Sequence, residues 1–422
     1  HVLTDMLGVV RAYLPSRRLL RLFHRYHFLF GGVHAVFLLT FCNVDLYFVK
    51  KYPVVMLTGP RQSGKTTLCK SALPDKAYIS LENPENREYA LSDPKGFLAQ
   101  YKNGVIIDEA QRAPELFSYI QGIVDETRKK GMFVLTGSQN FQLLNTINQS
   151  LAGRTAILKL LPFSINEISS FVKRMNLDEL LIKGFYPRIY NEKLNPYHAL
   201  SFYFETYVER DVRSLIRLKD LSTFQKFVRL CAGRIGSLLN LSSLGNEVGV
   251  SHTTVREWIS ILEASYIVFL LQPHHKNFNK RITKSPKLYF HDVGLAAYLL
   301  GIETTSQIQR DPLRGNLFEN LIISDILKKR FESVKPSNLS FFRDTNGNEV
   351  DLILTSGNDL LAIEIKSGQT ITKEFLRGIN YFESVKKSEK VTKSIIYGGK
   401  TKQERGDVTI YPYRKCYECV NI

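Results

Sequence analysis

The segment G-P-R-Q-S-G-K-T, residues 59 to 66, has the residue types and the spacing of a phosphate-binding loop. Gly59 and Gly64 allow the backbone to curl so that successive amide groups point at phosphate oxygens. The apolar sequence VVML leads into this loop and the helical sequence TTLCKSAL follows it, so the positive end of a helix would face the phosphates. The predicted nucleotide contacts are Gly59, Pro60, Arg61, Gln62, Ser63, Gly64, Lys65, Thr66, Thr67 and Ser138.

An acidic pair, Asp108 and Glu109, follows the apolar sequence GVII. Open α/β sheets bind their ligands at the carboxyl ends of the strands, which is where this pair would lie. We expect Lys65 to reach the β- and γ-phosphates of ATP, and Thr66 and Asp108 to hold Mg²⁺. Glu109 would polarise the attacking water as general base. The polar residues that end a later strand and suit a γ-phosphate contact are Ser138, Gln139 and Asn140.

A second set of residues, nearer the C-terminus, has the types used in Mg²⁺-dependent phosphodiester hydrolysis. Strand alternation places Glu364 and Lys366 of the sequence EIK on one face, and a hairpin at residues 356 to 359 would bring Asp351 beside them. Glu319, on a preceding helix, could complete the set. Converging carboxylates repel each other unless a cation lies between them, so a second metal site is predicted here. The alternatives are an active nuclease and a degenerate nuclease-like fold kept as a scaffold.

Residues 241 to 272 have the pattern of a helix-turn-helix. Gly249 lies in the turn, and Ser251 caps a second helix on which Val255, Trp258 and Ile259 share one face. A recognition helix offers its N-terminal side chains to the DNA major groove, and a basic wing would contact phosphates. The alternative is a winged helix used only for packing or protein contacts. The predicted DNA contacts are His252, Thr253, Thr254, Arg256, Lys280 and Arg281.

Three blocks of sequence pattern would position these residues. Strand-like runs alternate with helical patterns over residues 50 to 165, which predicts an α/β fold with a parallel sheet and helices on both faces. Residues 166 to 235 are mostly helical, and residues 236 to 300 form the predicted winged helix-turn-helix. Residues 312 to 422 read as a separate small α/β domain. Residues 1 to 49 remain without a firm assignment.

The chain has 422 residues and a formal net charge of +17, which favours an acidic partner such as nucleic acid. Five scattered cysteines form no disulfide framework and favour a reducing compartment, so a cytoplasmic location is expected. The pair Cys416 and Cys419 lacks further zinc ligands at a suitable spacing, and we interpret it as structural or incidental. Arginines precede an apolar run at residues 28 to 42 that resembles a signal peptide or short anchor. That run is too short to span a bilayer, so membrane insertion is not expected.

Taken together, the three blocks resemble a family of predicted archaeal and bacterial AAA+-type ATPases. The resemblance covers residues 54 to 381 and depends on the motifs GPRQSGKTTL, SLENPENREYALSDP, VIIDEAQ, LTGSQNFQLL, SLAGRTAILKLLPFS, YVERDV, KLYFHDVGL, GNLFEN, NEVDLIL and AIEIKSG. In that family, a P-loop domain precedes a winged helix and a C-terminal domain with a restriction-endonuclease-like fold.

The resemblance implies nucleotide contacts at Gly59, Gly64, Lys65, Thr66, Asp108 and Glu109. It also implies that Arg154, in the motif LAGR, senses nucleotide within the chain or reaches a neighbour's site as an arginine finger, which would require a homo-oligomer. Arg210 is a second candidate, for which a buried ion pair is favoured. The nuclease-like motif of the family maps onto Glu319, Asp351, Glu364 and Lys366.

Three functions are compatible with these features. The first is a DNA-associated ATPase that requires ATP and Mg²⁺. The second is an ATP-regulated, Mg²⁺-dependent nuclease, and the third is a nucleotide-switched scaffold that does not act as an enzyme. The sequence does not identify the DNA recognised or the cellular pathway.

Overall fold

A computed structural model describes residues 47–138, 150–172, 174–208, 221–274, 283–386 and 389–420. It divides into two compact units. The first contains residues up to 58, 64–163 and 167–173, and the second contains residues 59–63, 164–166 and 174–422.

The first unit is built on a five-stranded sheet in the order β2-β3-β4-β1-β5, with every neighbouring pair parallel. The strands are β1 (Val54–Thr58), β2 (Ala77–Ser80), β3 (Val105–Asp108), β4 (Phe133–Gly137) and β5 (Thr155–Lys159). Because all strands run in one direction, their carboxyl ends meet at a single edge of the sheet. The expected parallel α/β sheet is confirmed.

Helices connect these strands: α1 (Lys65–Ala72), α2 (Pro84–Ser92), α3 (Pro94–Ala99) and α4 (Leu116–Thr127), followed after β5 by α5 (Ile165–Phe171). Residues 110–112 add a short 3₁₀ helix after β3. Asn83 and Asp93 accept backbone N–H bonds and cap α2 and α3, each of which begins with a proline. The two strands β1 and β3 are buried along their whole length, and helix side chains such as Phe97 and Phe117 pack in the same core. Such continuous burial is the pattern of a parallel sheet covered by helices.

The second unit opens with helices. They are α6 (Leu177–Lys183), α7 (Pro187–Asn191), α8 (Pro196–Tyr203), α9 (Leu221–Ala232), α10 (Leu241–Val248) and α11 (His252–Ala264). A single π-helical turn, Phe204–Val208, follows α8. Three further helices come later: α12 (Val293–Leu299), α13 (Thr305–Arg310) and α14 (Arg314–Glu332). Buried Asp292 caps α12 and also accepts the N–H group of Phe185, so one carboxylate ties two helical segments together.

Eight strands of the second unit form one mixed sheet in the order β12-β13-β11-β10-β9-β8-β6-β7. The strands are β6 (Val268–Pro273), β7 (Lys287–Phe290), β8 (Leu339–Arg343), β9 (Glu349–Ser356), β10 (Asp359–Lys366), β11 (Lys390–Tyr397), β12 (Gln403–Arg405) and β13 (Val408–Pro412). Helix α15 (Arg377–Val385) connects β10 to β11, which pair in parallel. Strands β8, β9 and β10 pair antiparallel, with the predicted hairpin at residues 356 to 359.

The two predicted blocks on either side of residues 300 to 312 share one sheet. Strand β6 pairs antiparallel with β7 and also pairs in parallel with β8 through Gln272 and Pro273. The hairpin after the helix-turn-helix therefore continues the C-terminal sheet. Sequence patterns locate strands but do not show which edges pair, so the shared sheet could not be read from them.

Several predicted features lie outside the described residues. These are the apolar run near the N-terminus, Gln139, Asn140, Arg210, Lys280 and Arg281. Within the described ranges, no helix is both long and apolar enough to cross a membrane. Cys416 and Cys419 are buried and unoxidised, and burial raises the pKa of both thiols.

Candidate functional site

The phosphate-binding loop follows β1 at the carboxyl edge of the first sheet. Its backbone takes positive φ angles at Gly59 (152°), Gln62 (59°) and Gly64 (93°), and α1 begins immediately afterwards at Lys65. Gly64 and Gly59 adopt these angles at little cost because they have no Cβ. Gln62 is a non-glycine residue in the left-handed region, where strain often accompanies function.

Asp108 ends β3 and is the centre of a cluster of hydroxyl groups. Its Oδ2 atom accepts hydrogen bonds from Thr66 Oγ1 at 3.0 Å and from Tyr78 Oη at 2.8 Å. Its Oδ1 atom accepts one from Thr136, on the neighbouring strand β4. The aspartate is 7% exposed, so the cluster is largely shielded from water. The two residues predicted to hold Mg²⁺, Thr66 and Asp108, are thus in direct contact.

Glu109 lies just beyond the strand with a left-handed backbone, φ 55°. Its Oε2 atom accepts a hydrogen bond from Gln111 and another from Ser138 Oγ at 3.2 Å. Ser138 follows β4, so the predicted general base and the predicted γ-phosphate contact are neighbours. In this arrangement, the carboxylate of Glu109 is held by side chains of the first unit.

The loop has the chemistry that a nucleotide phosphate and its metal ion require. The hydroxyl group of Ser63 is completely buried and has no hydrogen-bond partner among the described residues. A buried unsatisfied donor is costly, and a phosphate oxygen would satisfy it. Lys65 is 6% exposed at the start of α1, and the hydroxyl of Thr66 with the carboxylate of Asp108 supplies hard oxygen ligands of the kind Mg²⁺ prefers. The residues therefore fit Mg²⁺-nucleotide.

Three residues of this site were missed by sequence reasoning: Tyr78, Gln111 and Thr136. Tyr78 lies on β2, two residues before Ser80, which pairs with Asp108. Burial, together with the hydrogen bond to Asp108, raises the pKa of Tyr78 above its usual value, so its hydroxyl remains a donor. The ammonium group of Lys70 lies 3.6 Å from the centroid of the Tyr78 ring. Gln111 could have been noticed in the motif DEAQ, but Tyr78 has no local signal because the sheet alone brings it to Asp108.

Arg154, predicted to sense nucleotide within its own chain or in a neighbour, does not lie beside the phosphate-binding loop of its own chain. Arg154 directly precedes β5, at the amino end of the strand, whereas the phosphate-binding loop follows the carboxyl end of the adjacent strand β1. Its guanidinium instead makes a two-pronged contact with Asp125, at 2.6 and 2.9 Å. Both side chains are partly exposed, so the residue is accessible from outside the chain.

Helix α11 presents the expected surface in the second unit. His252, Thr253 and Arg256 are exposed, whereas Thr254 is half-buried and its hydroxyl contacts the capping residue Ser251 at 2.9 Å. Val255, Trp258 and Ile259 are buried on the opposite face, as the pattern predicts. The indole of Trp258 packs edge-on against Phe224 and Phe227 of α9.

The predicted carboxylate set is brought together but not as a metal site. Lys366 Nζ lies 3.3 Å from Asp351 Oδ2 and 2.5 Å from Glu364 Oε1, as the hairpin and strand alternation require. Glu319 of α14 pairs instead with Lys287 of β7, at 3.1 Å. No group of three or more His, Cys, Asp and Glu side chains is arranged to hold a metal ion in the part of the chain that the structure describes. Sequence reasoning missed Lys287, which reaches this cluster only through the shared sheet.

Comparison with known protein families matches the three blocks of the chain. The model of an AAA domain matches residues 51–169. Two domains of unknown function follow, DUF8612 over residues 174–306 and DUF4143 over residues 314–416.

An uncharacterized protein of Mycobacterium tuberculosis is 30% identical to this chain over 323 residues, which covers 75% of this chain and 71% of the relative. This chain belongs to the AAA+-type ATPase family. A more distant relative of this AAA+-type chain, an uncharacterized protein of Haemophilus influenzae, is 20% identical over 246 residues, covering 55% of this chain and 58% of the relative. The AAA-type fold supports nucleotide binding by this chain. Proteins with this fold usually bind the nucleotide together with Mg²⁺.

Among solved structures, a Walker-type ATPase of Pyrococcus abyssi is 15% identical to this AAA+-type chain. Their alignment has a TM-score of 0.42 and covers 61% of this chain and 94% of the other. The AMPPCP-bound DnaA of Aquifex aeolicus is 16% identical, with a TM-score of 0.28 and coverage of 53% and 85%.

Proposed function

We propose that this chain binds ATP with Mg²⁺ at residues 59 to 67, hydrolyses it, and does so in association with duplex DNA. The observation that carries the nucleotide part is the convergence of Thr66, Tyr78 and Thr136 on Asp108, at the edge where the phosphate-binding loop begins. Ligands of open α/β sheets bind at this edge.

Each residue of the site has a distinct role in this proposal. The loop amides and Ser63 bind phosphate oxygens, and the ammonium group of Lys65 places a positive charge beside them. Thr66 and Asp108 hold Mg²⁺, which supplies charge neutralisation at the phosphates when bound. Glu109 accepts a proton from the attacking water through Oε1, since the hydrogen bonds from Gln111 and Ser138 both fall on Oε2.

ATP binding and steady-state hydrolysis by the purified chain test this proposal. Lys65→Ala should abolish tight binding, and Glu109→Gln should keep binding but lose turnover. Lys95→Ala and Glu88→Gln change exposed residues of α3 and α2 and serve as matched controls that should leave both properties intact. Unchanged ATP affinity in Lys65→Ala would contradict the proposal.

A second candidate function is the nucleotide-switched scaffold. The observation in its favour is that Gln111 and Ser138 both donate to Oε2 of Glu109, so two side chains restrain the predicted general base. Tight ATP binding with negligible turnover, even when duplex DNA is present, would replace the hydrolase with this scaffold. Turnover that requires Glu109 would exclude it.

The DNA part of the proposal is supported by the exposed N-terminal face of α11 and by the net charge of +17. Fluorescence anisotropy with a labelled duplex should give binding that weakens steeply as salt rises, because phosphate contacts release counterions. Arg256→Ala should cost about 1–3 kcal/mol of binding free energy if the guanidinium contacts a base. Glu257→Gln, an exposed neighbour on the same helix, is the control. Equal affinity of wild type and Arg256→Ala would argue that α11 serves packing or protein contacts.

A role for Arg154 in a neighbour's site is proposed as well, because the arginine is partly exposed and lies away from its own loop. Mixing two inactive proteins tests this role. Lys65→Ala subunits would supply Arg154 to the intact loop of Arg154→Ala subunits, so the mixture should regain ATPase activity. Arg154→Ala protein that hydrolyses ATP normally by itself would rule out the arginine finger.

A further inference from the structure

The carboxylates near the C-terminus of the second unit are held by cations of the protein itself. Five elements contribute to this cluster: α14 with Glu319, β9 with Glu349 and Asp351, β10 with Glu364 and Lys366, β7 with Lys287, and β8 with Arg343. A bound divalent ion requires several oxygen ligands whose lone pairs are free to face it. The hydrogen bonds of each carboxylate therefore decide whether an ion fits.

The ammonium group of Lys287 contacts two of these carboxylates, those of Glu319 and Glu349. Its side chain is 3% exposed, and its ammonium group forms ion pairs with Glu319 Oε1 at 3.1 Å and with Glu349 Oε1. Burial opposes protonation, but the charges of Glu319, Asp351 and Glu349 outweigh it and raise the pKa of Lys287 above its usual value. The lysine is therefore a permanent buried cation, which is tolerated only with such partners.

Two further contacts engage the carboxylates of Glu319 and Glu349. Tyr289, two residues after Lys287 and on the same face of β7, donates to Glu319 Oε1. Arg343 of β8 binds the other oxygen of Glu349 at 3.1 Å. Glu319 and Glu349 are thus bound by three side chains of the neighbouring strands, of which Lys287 and Arg343 are cations and Tyr289 is a neutral donor.

The other two carboxylates, Asp351 and Glu364, have different partners. Asp351 Oδ2 accepts the backbone N–H group of Ile365 at 2.8 Å and also contacts Lys366. Glu364 shares the same lysine through Oε1, and its second oxygen is buried without a hydrogen-bond partner in the described residues. Glu319, Asp351 and Glu364 thus each keep one oxygen that accepts no hydrogen bond from the described residues, but no three acidic side chains among these residues are arranged to hold a metal ion.

We infer that Lys287 supplies the positive charge that a divalent ion would supply in a nuclease of this topology, so the cluster is a metal-free ion-pair network and not a hydrolytic site. The network ties the hairpin strand β7 to α14 and β9, which are the elements that the shared sheet brings together. This inference does not depend on ATP binding, because none of its residues belongs to the phosphate-binding loop.

Electron paramagnetic resonance of Mn²⁺ added to the nucleotide-free full chain tests the inference. An Asp108→Asn background removes the carboxylate of the loop site, so bound Mn²⁺ would report other sites. We expect the spectrum of free aqueous Mn²⁺ and no change in Tm on adding the metal. Bound Mn²⁺ that disappears in Asp108→Asn/Asp351→Asn would overturn the inference. Mn²⁺-dependent cleavage of duplex DNA that Asp351→Asn abolishes would overturn it equally.

Substitution of Lys287 tests whether this lysine stabilises the ion-pair network. Lys287→Met keeps most of the side-chain volume but leaves the half-buried Glu319 without its cation and Glu349 with Arg343 alone, so it should lower Tm. Lys335→Met, at an exposed lysine of the same unit, is the matched control. The double variant Lys287→Met/Glu319→Gln should recover part of the loss, because it removes one of the uncompensated charges. A Lys287→Met protein as stable as the control would contradict the network. If Lys287→Met does not fold, the Mn²⁺ measurements on the Asp108→Asn background still test whether the cluster binds a metal ion.

Discussion

At the scale of single residues, Asp108 is the acceptor on which the side chains of the candidate nucleotide site converge. Three hydroxyl groups from α1, β2 and β4 donate to Asp108, so its orientation is set before any ligand arrives. Partners of this kind typically tune a metal site as strongly as the ligands themselves. Tyr78 is the partner that can be changed without touching the loop.

Tyr78→Phe keeps the ring under Lys70 but removes the hydrogen bond to Asp108. We expect the Mg²⁺ concentration that half-saturates binding of a non-hydrolysable ATP analogue to rise roughly 10-fold, since Asp108 loses an orienting donor. Thermal stability should change little. Tyr89→Phe, which removes a hydroxyl bonded to Gln100 at 2.7 Å, is the control. An unaltered Mg²⁺ requirement would show that Tyr78 has only a packing role.

A pH-dependent contribution to stability is expected from Glu364. Burial, with the charge of Asp351 adding to it, raises the pKa of Glu364 to about 8. The folded state therefore holds a proton that the unfolded state releases at its ordinary, lower pKa. The resulting stability is present at acidic pH and is lost as pH rises from that ordinary value towards 8. Urea denaturation at pH 5.5 and 8.5 should show a smaller pH-dependent loss in Glu364→Gln than in wild type. Equal losses in the two proteins would refute the assignment.

At the scale of elements, α11 combines a buried face with an exposed one. Trp258 packs between Phe224 and Phe227 and fixes α11 against α9, whereas Arg256 faces solvent. The spacing of apolar and polar residues in the sequence predicted both faces, because the helical period alone determines which residues lie on the same side of the helix. What the exposed face binds is a separate question from the fold.

Trp258→Ala should destabilise the second unit by about 3–5 kcal/mol, because it removes a large aromatic side chain from the core and leaves a cavity. Trp258→Phe should cost less, since part of the aromatic packing remains. Urea denaturation followed by circular dichroism measures both. A loss below about 1 kcal/mol for Trp258→Ala would mean that α11 is held mainly by other contacts.

At the scale of the whole chain, the shared sheet changes the expected organisation of domains. Strand β8 is not the edge of a small C-terminal domain, since β6 pairs with its outer side. The ion pairs of Lys287 add an electrostatic connection across the same boundary. Residues 174 to 422 therefore behave as one compact unit.

A fragment of residues 312 to 422 should fail to unfold cooperatively when expressed alone. It would expose the edge of β8 and leave Glu319 and Glu349 without Lys287, and both defects favour aggregation or disorder. A fragment of residues 174 to 422 keeps both features and should unfold in a single transition. Size-exclusion chromatography and differential scanning calorimetry compare the two. A shorter fragment that is monomeric and cooperative would restore the predicted boundary.

The sequence by itself determined the local features of this protein. The phosphate-binding loop, the acidic pair after β3, the two helices of the helix-turn-helix and the β9–β10 hairpin all follow from glycine positions, capping residues and periodicity over a few residues. These signals are local because backbone geometry and side-chain direction depend on near neighbours.

Only the tertiary structure decided which distant residues meet. Strand pairing placed Tyr78 at Asp108, put Arg154 at the edge of the sheet opposite the loop, and carried Lys287 into the carboxylate cluster. Residue types and spacing predicted a metal between those carboxylates, but they could not show that a lysine 32 positions away from Glu319 already supplies the charge. Contacts between strands depend on register and sheet order, which are set by the packing of the whole unit and leave no short-range trace in the sequence.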